Sequence, residues 1–235
     1  MSKVTMHDTW KSDEEYKPHD IWRFLAFKII KRIYNTKITP NQVSVTNWGF
    51  AALGSALVLT GNWYCYILAA VCFFMFVVFD CVDGGLARAR KSVSLYGWWL
   101  ESIGHFIYDI GPRLAVIWVI YTIAGPSTLW LAGSALITTG IFFQRGFGLQ
   151  WVIVRPPVMK MKMHQRPREM RKKMIRVYRW SLFGVFGWEF SMWVLLFSCL
   201  LGNMMIAFLY FAIFTPLAAI RLLVSYTSAL RMAGE

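Results

Sequence analysis

Six apolar stretches, near residues 42–60, 64–88, 97–123, 128–151, 181–201 and 204–230, constrain this chain more than any other feature. A helix needs about 20 mostly apolar residues to cross a bilayer's hydrocarbon core, and each stretch supplies roughly that. Within successive pairs the connections are short: Gly61-Asn62, Gly125-Pro126 and Gly202-Asn203. The composition agrees, with 57% hydrophobic and only 16% charged residues, against about 25% charged in ordinary soluble domains. An aromatic content of 17% excludes intrinsic disorder, and the twelve tryptophans suit a membrane–water boundary. The expected fold is an all-α integral membrane protein, with an N-terminal interfacial amphipathic helix followed by six transmembrane helices.

The organisation follows from the same pattern. Residues 1–19 form a polar N-terminal tail without an apolar h-region, so no secretory leader is expected. Residues 20–36 are too short and too basic to cross. Ile21, Leu25, Ile29 and Ile33 line one side, with Arg23, Lys28, Lys31 and Arg32 elsewhere, as in a helix lying against anionic lipid. Thr39-Pro40-Asn41 ends that helix. Residues 37–230 make the six-helix domain, and 231–235 a C-terminal tail. Cys65, Cys72, Cys81 and Cys199 lie in or beside apolar runs and are expected as buried thiols, not as a disulfide framework.

Lys and Arg set the orientation. Eight precede the first span, Arg88, Arg90 and Lys91 follow the second, and ten fall within 155–179, while the three short turns have none. The positive-inside rule puts both termini and the 155–179 loop in the cytoplasm. That loop, which also holds His164 and Glu169, is expected to draw anionic membrane lipids. Nucleic acid is not an expected partner, since no binding fold accompanies the basic patch.

Charges inside spans are expensive and therefore mark function. Five acids fall within the spans: Asp80, Asp83, Glu101, Asp109 and Glu189. Asp80 and Asp83 share a helix face, and Gly84 and Ala87 follow on nearly the same face, leaving room for close approach. Gly97, Glu101, His105 and Asp109 recur every four residues, which stacks them along one stripe of the third span. The topology puts the end of span two level with the start of span three, so carboxylates and an imidazole converge at the cytoplasmic edge. Packed carboxylates repel unless protonated or bridged by cations. Hard divalent ions favour such oxygen donors and bring phosphates with them, and a pair of ions clamps a phosphoryl group for displacement. Interhelical polar glue is the alternative for these residues. Asp109 lies about 12 Å beyond Glu101 along the helix and pairs by spacing with Arg113, near the Gly111-Pro112 bend.

Asp80, Asp83, Gly84, Ala87, Arg88 and Gly97 match in identity and spacing the motif D-x2-D-G-x2-A-R-x(8–9)-G-x3-D-x3-D. From average residue usage, six such matches arise by chance at roughly one in 10⁷ per starting position. The chain therefore resembles the CDP-alcohol phosphotransferase (CDP-alcohol phosphatidyltransferase) family over about residues 20–230. The resemblance is to a divergent member, with Glu101 and His105 at the third and fourth acidic positions.

The resemblance implies a metal-dependent transferase. It moves a substituted phosphate from a CDP-alcohol to a hydroxyl acceptor, releases CMP and forms a phospholipid or related phosphodiester. It implies metal ligation by Asp80, Asp83, Glu101 and His105, with Mg²⁺ or Mn²⁺ as cofactor and two ions. Nucleotide binding falls to Asp80, Asp83, Gly84, Ala87, Arg88 and Gly97. His105 stands where the family has its base, and an imidazole can take a proton near neutral pH. It can equally be a ligand, favouring softer ions such as Mn²⁺ or Zn²⁺, or a degenerate position; the sequence leaves these open. Asp109, Arg113, Arg145 and Arg221 are the candidates for the acceptor, with structural pairing and lipid anchoring as their plainer alternatives. At least one substrate is expected to be a lipid, the active site to face the cytoplasm, the membrane to be the inner one if the source is bacterial, and the assembly to be a homodimer. A catalytically degenerate protein that binds lipid or nucleotide is the competing reading.

Overall fold

The computed structural model describes residues 5, 7–9, 21–154 and 188–234. The 155–179 loop and the start of the fifth expected span lie outside the described residues, as do most of 1–19. Among the described residues the chain is all helical: a 3₁₀ turn His7–Thr9, then α1 Ile21–Ile33, α2 Pro40–Leu59, α3 Trp63–Ala89, α4 Leu95–Ala124, α5 Thr128–Val154, α6 Trp188–Leu201 and α7 Met204–Gly234. The four cysteines are unbridged. Two compact units divide the chain at Ala115/Val116, within α4.

Among the described residues, three segments are long and apolar enough to cross a membrane: Trp63–Ala89, Leu95–Ala124 and Met204–Val224. Side chains such as Leu68, Val71, Trp118, Ile206 and Ile213 stand exposed on them, an apolar surface that suits lipid and not water. The other described helices expected to span are shorter or more polar. Helix α2 carries Asn41, Gln42 and Asn47, α5 carries Gln144 and Arg145, and the apolar part of α6 is Phe190–Leu201.

The expected turns share one chemistry. Gly61, Gly125 and Gly202 sit at φ +68°, +71° and +67°, the left-handed region that glycine enters at no steric cost. After two of these turns the next helix finds a cap: Asn62 Oδ1 accepts from Tyr64 N at 2.8 Å, and Asn203 Oδ1 accepts from Met205 N at 3.1 Å. Thr39-Pro40 ends the chain's approach from α1 and also starts α2. Thr39 and Gln42 form a capping box, and Pro40 occupies the first turn where its missing N–H costs nothing.

In the first unit, α3 runs antiparallel to both α2 and α4. Gly54 abuts Phe73, Phe50 packs on Phe79, and Tyr108 stacks on Phe76 with ring centroids 4.3 Å apart. Helices α2 and α4 are parallel and in a seven-residue register. Gly97 meets Asn41, Gly104 meets Trp48 and Gly111 meets Ser55, each glycine leaving the space that a Cβ would fill. Trp48 Nε1 also donates to the Leu100 carbonyl at 3.2 Å.

Helix α1 packs on α3. Trp22, Ala26 and Ile30 are buried, while Leu25, Ile29 and Ile33 beside them are half-buried. The reason is a tertiary fit: Ile30 Cδ1 fills the space over Gly85. Arg90 fastens the far end of α1. Its guanidinium donates to the carbonyls of Ile33, Tyr34, Thr36 and Ile38, at 2.5–3.1 Å, which satisfies acceptors that a helix C-terminus leaves open.

In the second unit α5 and α7 are parallel and close. A Cβ at Gly133 would strike the Phe208 ring, and one at Gly140 would lie 2.9 Å from the backbone at Thr215 and Pro216. Gln144 Nε2 donates to the Thr215 carbonyl at 2.8 Å. Helix α6 returns against α7 through the Gly202-Asn203 turn.

Candidate active site

The motif straddles a helix end and a helix start, and its spacing has a physical reason. At the end of α3, Ser92 N donates to the Ala87 carbonyl at 2.9 Å and Lys91 N to the Arg88 carbonyl at 3.0 Å, while Lys91 takes φ +55°. This is a Schellman stop, with lysine where glycine is usual. Ser94 then caps α4, its Oγ accepting from Gly97 N at 3.0 Å. The eight residues between Arg88 and Gly97 are thus a stop and a cap joined back to back, with little slack.

Asp80 on α3 and Glu101 and His105 on α4 form a cluster. One ligand atom from each lies within 4.8 Å of the other two, and His105 Nε2 is 3.3 Å from Asp80 Oδ1. The ring of His105 stands edge-on to Phe76, so the floor of the cluster is aromatic. Donors around one divalent ion, at bond lengths of about 2.0–2.6 Å, sit roughly 3–5 Å apart. Two carboxylates and an imidazole at this separation therefore fit a divalent cation.

Asp83 stands one turn further toward the end of α3. It is 4% exposed; Oδ2 accepts from Ser44 Oγ at 2.6 Å and Oδ1 from Gly84 N at 2.5 Å. Asp83 joins Glu101 on the wall of a cavity of about 380 Å³. Pro40, Asn41 and Ser44 line it from α2, Gly84, Ala87 and Arg88 from α3, Ser92 to Ser94 from the connection, and Gly97 and Trp98 from α4. The volume falls within the range of small-molecule sites. Of the six residues expected to meet a nucleotide, Asp83, Gly84, Ala87, Arg88 and Gly97 share this cavity, and Asp80 is in the adjoining cluster. Gly84 leaves room for the guanidinium of Arg88, whose Nη1 would lie 3.1 Å from an added Cβ.

The four-residue recurrence in α4 does not make one stripe. Each step of four turns the helix by about 400°, a drift of about 40°. Gly97 accordingly faces Asn41 on α2, Glu101 and His105 meet α3, and Asp109 pairs within its own helix. Arg113 Nη1 donates to the Asp109 carbonyl at 2.6 Å and lies 3.1 Å from its Oδ1, the pairing expected from their spacing. Pro112 is accommodated inside α4 without ending it. Arg145 on α5 and Arg221 on α7 belong to the second unit, at matching levels of the two parallel helices.

Ser44, Asn41, Trp98 and Ser94 are site residues that the sequence pattern does not single out. The Thr39-Pro40-Asn41 turn is the nearest signal to them. Asn47, one turn beyond Ser44 and 2% exposed, holds its Oδ1 without a hydrogen-bond partner among the described residues.

Acids from two neighbouring helices thus converge on one cavity and its adjoining cluster, on helices long and apolar enough to cross a membrane. The CDP-alcohol phosphatidyltransferase family model matches residues 37–202, and the chain belongs to that family. It is also similar to a phosphatidylinositol phosphate synthase of Corynebacterium glutamicum, 32% identical over 105 residues. That match covers 43% of this chain and 46% of the relative, so it spans less than half of the relative's length.

Proposed function

We propose that this chain transfers a substituted phosphate group from a CDP-alcohol to the hydroxyl of an acceptor, releasing CMP, at the cytoplasmic edge of a membrane crossed by six helices. The observation that carries this reading is the meeting of Asp83 and Glu101, from two helices, on one cavity with Gly84, Ala87, Arg88 and Gly97. The acceptor oxygen attacks the β-phosphorus and a new P–O bond forms. The bond from that phosphorus to the bridging oxygen breaks, and CMP leaves with the electron pair. Asp80, Asp83, Glu101 and His105 are the residues to hold the divalent metal, Mg²⁺ or Mn²⁺ and two ions in this reading. Bound there, it supplies positive charge against the negative charge that builds on the leaving nucleotide. Arg88 faces the diphosphate, and the small Gly84 and Ala87 leave space for the nucleotide.

His105 takes the acceptor's proton in this reading. Its Nε2 stands beside Asp80, which equally supports a ligand role, and a coordinated nitrogen could not act as base; the two roles separate by experiment. Arg145 and Arg221 are assigned to the charge of an anionic acceptor, and Asp109 with Arg113 to holding α4 in shape. The relative's name makes a phosphatidylinositol phosphate the first product to test, with a homodimer as the expected assembly.

The test is CMP release by the purified full-length chain, given CDP-alcohols, candidate acceptors and Mg²⁺ or Mn²⁺. Turnover that vanishes in Asp80→Asn and Asp83→Asn is expected. Inactivity across a broad range of donors and acceptors overturns the transferase reading, and nucleotide still bound in that case favours a binding protein.

A further inference from the structure

The 3₁₀ turn His7–Thr9 lies against the centre of the motif, though dozens of residues separate them in sequence. The turn is closed by its own bonds: Thr5 N and Thr5 Oγ1 both donate to Asp8 Oδ2 at 2.7 Å, and Asp8 N donates to the Thr5 carbonyl at 3.2 Å. Thr9, its last residue, is 6% exposed. It seats on Gly85, where an added Cβ would come within 3.5 Å of Thr9 Cβ and 3.6 Å of its carbonyl oxygen. That carbonyl accepts from Arg88 Nε at 2.8 Å.

The neighbouring glycines divide the work. Gly85 admits Thr9 and Ile30, and Gly84 admits the guanidinium of Arg88. A guanidinium is a rigid planar fork. Fixing Nε at one edge fixes the plane of the whole group and the direction in which Nη1 and Nη2 point. Those atoms lie over Gly84, and Gly84 and Arg88 both line the cavity. A plain structural anchor would need the Nε bond alone; here the same side chain also forms a wall of the site.

We propose that the N-terminal turn is a positioning element of the nucleotide pocket: the Thr9 carbonyl sets the plane of Arg88 so that its Nη edge meets the diphosphate above Gly84. This rests on the transferase reading. Thr9 acts through Arg88 and touches no substrate.

The test is a double-mutant cycle on the purified full-length chain, reading CMP dissociation constants with Mg²⁺ present. Asp8→Ala opens the turn by removing the acceptor for both Thr5 bonds, and Thr9→Gly loosens its seat on Gly85, so one variant covers for poor folding of the other. Each is made with Arg88 intact and with Arg88→Ala. Coupled neighbours show large departures from additivity. With Arg88 present, CMP binding is expected to weaken about tenfold, with donor KM rising to match and kcat held within about twofold. In the Arg88→Ala background the same changes are expected to cost less than about twofold. Equal losses in both backgrounds, or no loss in either, overturn the role of the turn and leave the transferase reading standing. A wild-type chain that binds no CMP overturns the transferase reading itself.

Discussion

Ser44 Oγ donates to Asp83 Oδ2 at 2.6 Å, joining residues 39 positions apart on antiparallel helices. The bond fixes the carboxylate of Asp83 before any ligand arrives, and it makes α2 a wall of the site as well as a neighbour of it. Hydrogen bonds to charged groups contribute about 1.5–3 kcal/mol. Ser44→Ala is therefore expected to lower kcat/KM for CMP release by about 10- to 100-fold. Steady-state kinetics on CDP-alcohol checks this, and unchanged kcat/KM removes α2 from the account of the site.

The cluster of Asp80, Glu101 and His105 is expected to hold the metal. Titration of Mn²⁺ followed by electron paramagnetic resonance should show binding that weakens at least about tenfold in Glu101→Gln, a loss typical of a removed ligand or its orienting partner. Glu101→Asp should retain more affinity than Glu101→Gln, because the charge stays. Treatment with a chelator should abolish CMP release, and added Mg²⁺ or Mn²⁺ should restore it. Equal Mn²⁺ affinity in wild type and Glu101→Gln counts against the cluster.

His105 separates base from ligand. If it takes the acceptor's proton, His105→Ala should lower turnover by about 10²–10⁴-fold, with Mn²⁺ affinity little changed. If it is a ligand, affinity and turnover should fall together. His105→Asp should keep much of the activity under either role. Wild-type turnover in His105→Ala removes both assignments.

Arg90 predicts stability, not chemistry. It bonds four carbonyls at and beyond the end of α1, and a lysine ammonium cannot reproduce that planar fork. Arg90→Lys is expected to cost about 2 kcal/mol, which for a chain of this size lowers the melting temperature by roughly 4–8 °C, with kcat within about threefold of wild type. Thermal unfolding in detergent measures it, and an unshifted midpoint would mean that the carbonyls find water equally good partners.

What is legible in the sequence is what local chemistry dictates. Gly61, Gly125 and Gly202 mark turns because only glycine enters their φ without strain. Asp80, Asp83 and Glu101 stand out because a charge inside an apolar run is expensive to bury. Face selection is less legible. Helix α1 has apolar residues on two adjacent stripes, and Ile30 fitting Gly85 decides between them. Gly97, Glu101, His105 and Asp109 make one stripe only if the drift of about 40° per step is neglected. Ser44, Thr9 and Arg90 are hidden for another reason. Their partners are 39, 79 and 52–57 residues away, and nothing in a single chain's spelling announces such pairings.

The seven-residue register between α2 and α4 has a consequence for how this chain can change. Asn41, Trp48 and Ser55 engage Gly97, Gly104 and Gly111 like three pegs in three sockets. Inserting one residue into α4 between Gly97 and Glu101 would rotate everything beyond it by about 100°. Sockets two and three would then miss their pegs, and His105 would swing away from Asp80 in the same stroke. Length changes in α4 are thus tolerable only outside the pegged segment, and α4 beyond Gly111 is free of that timetable.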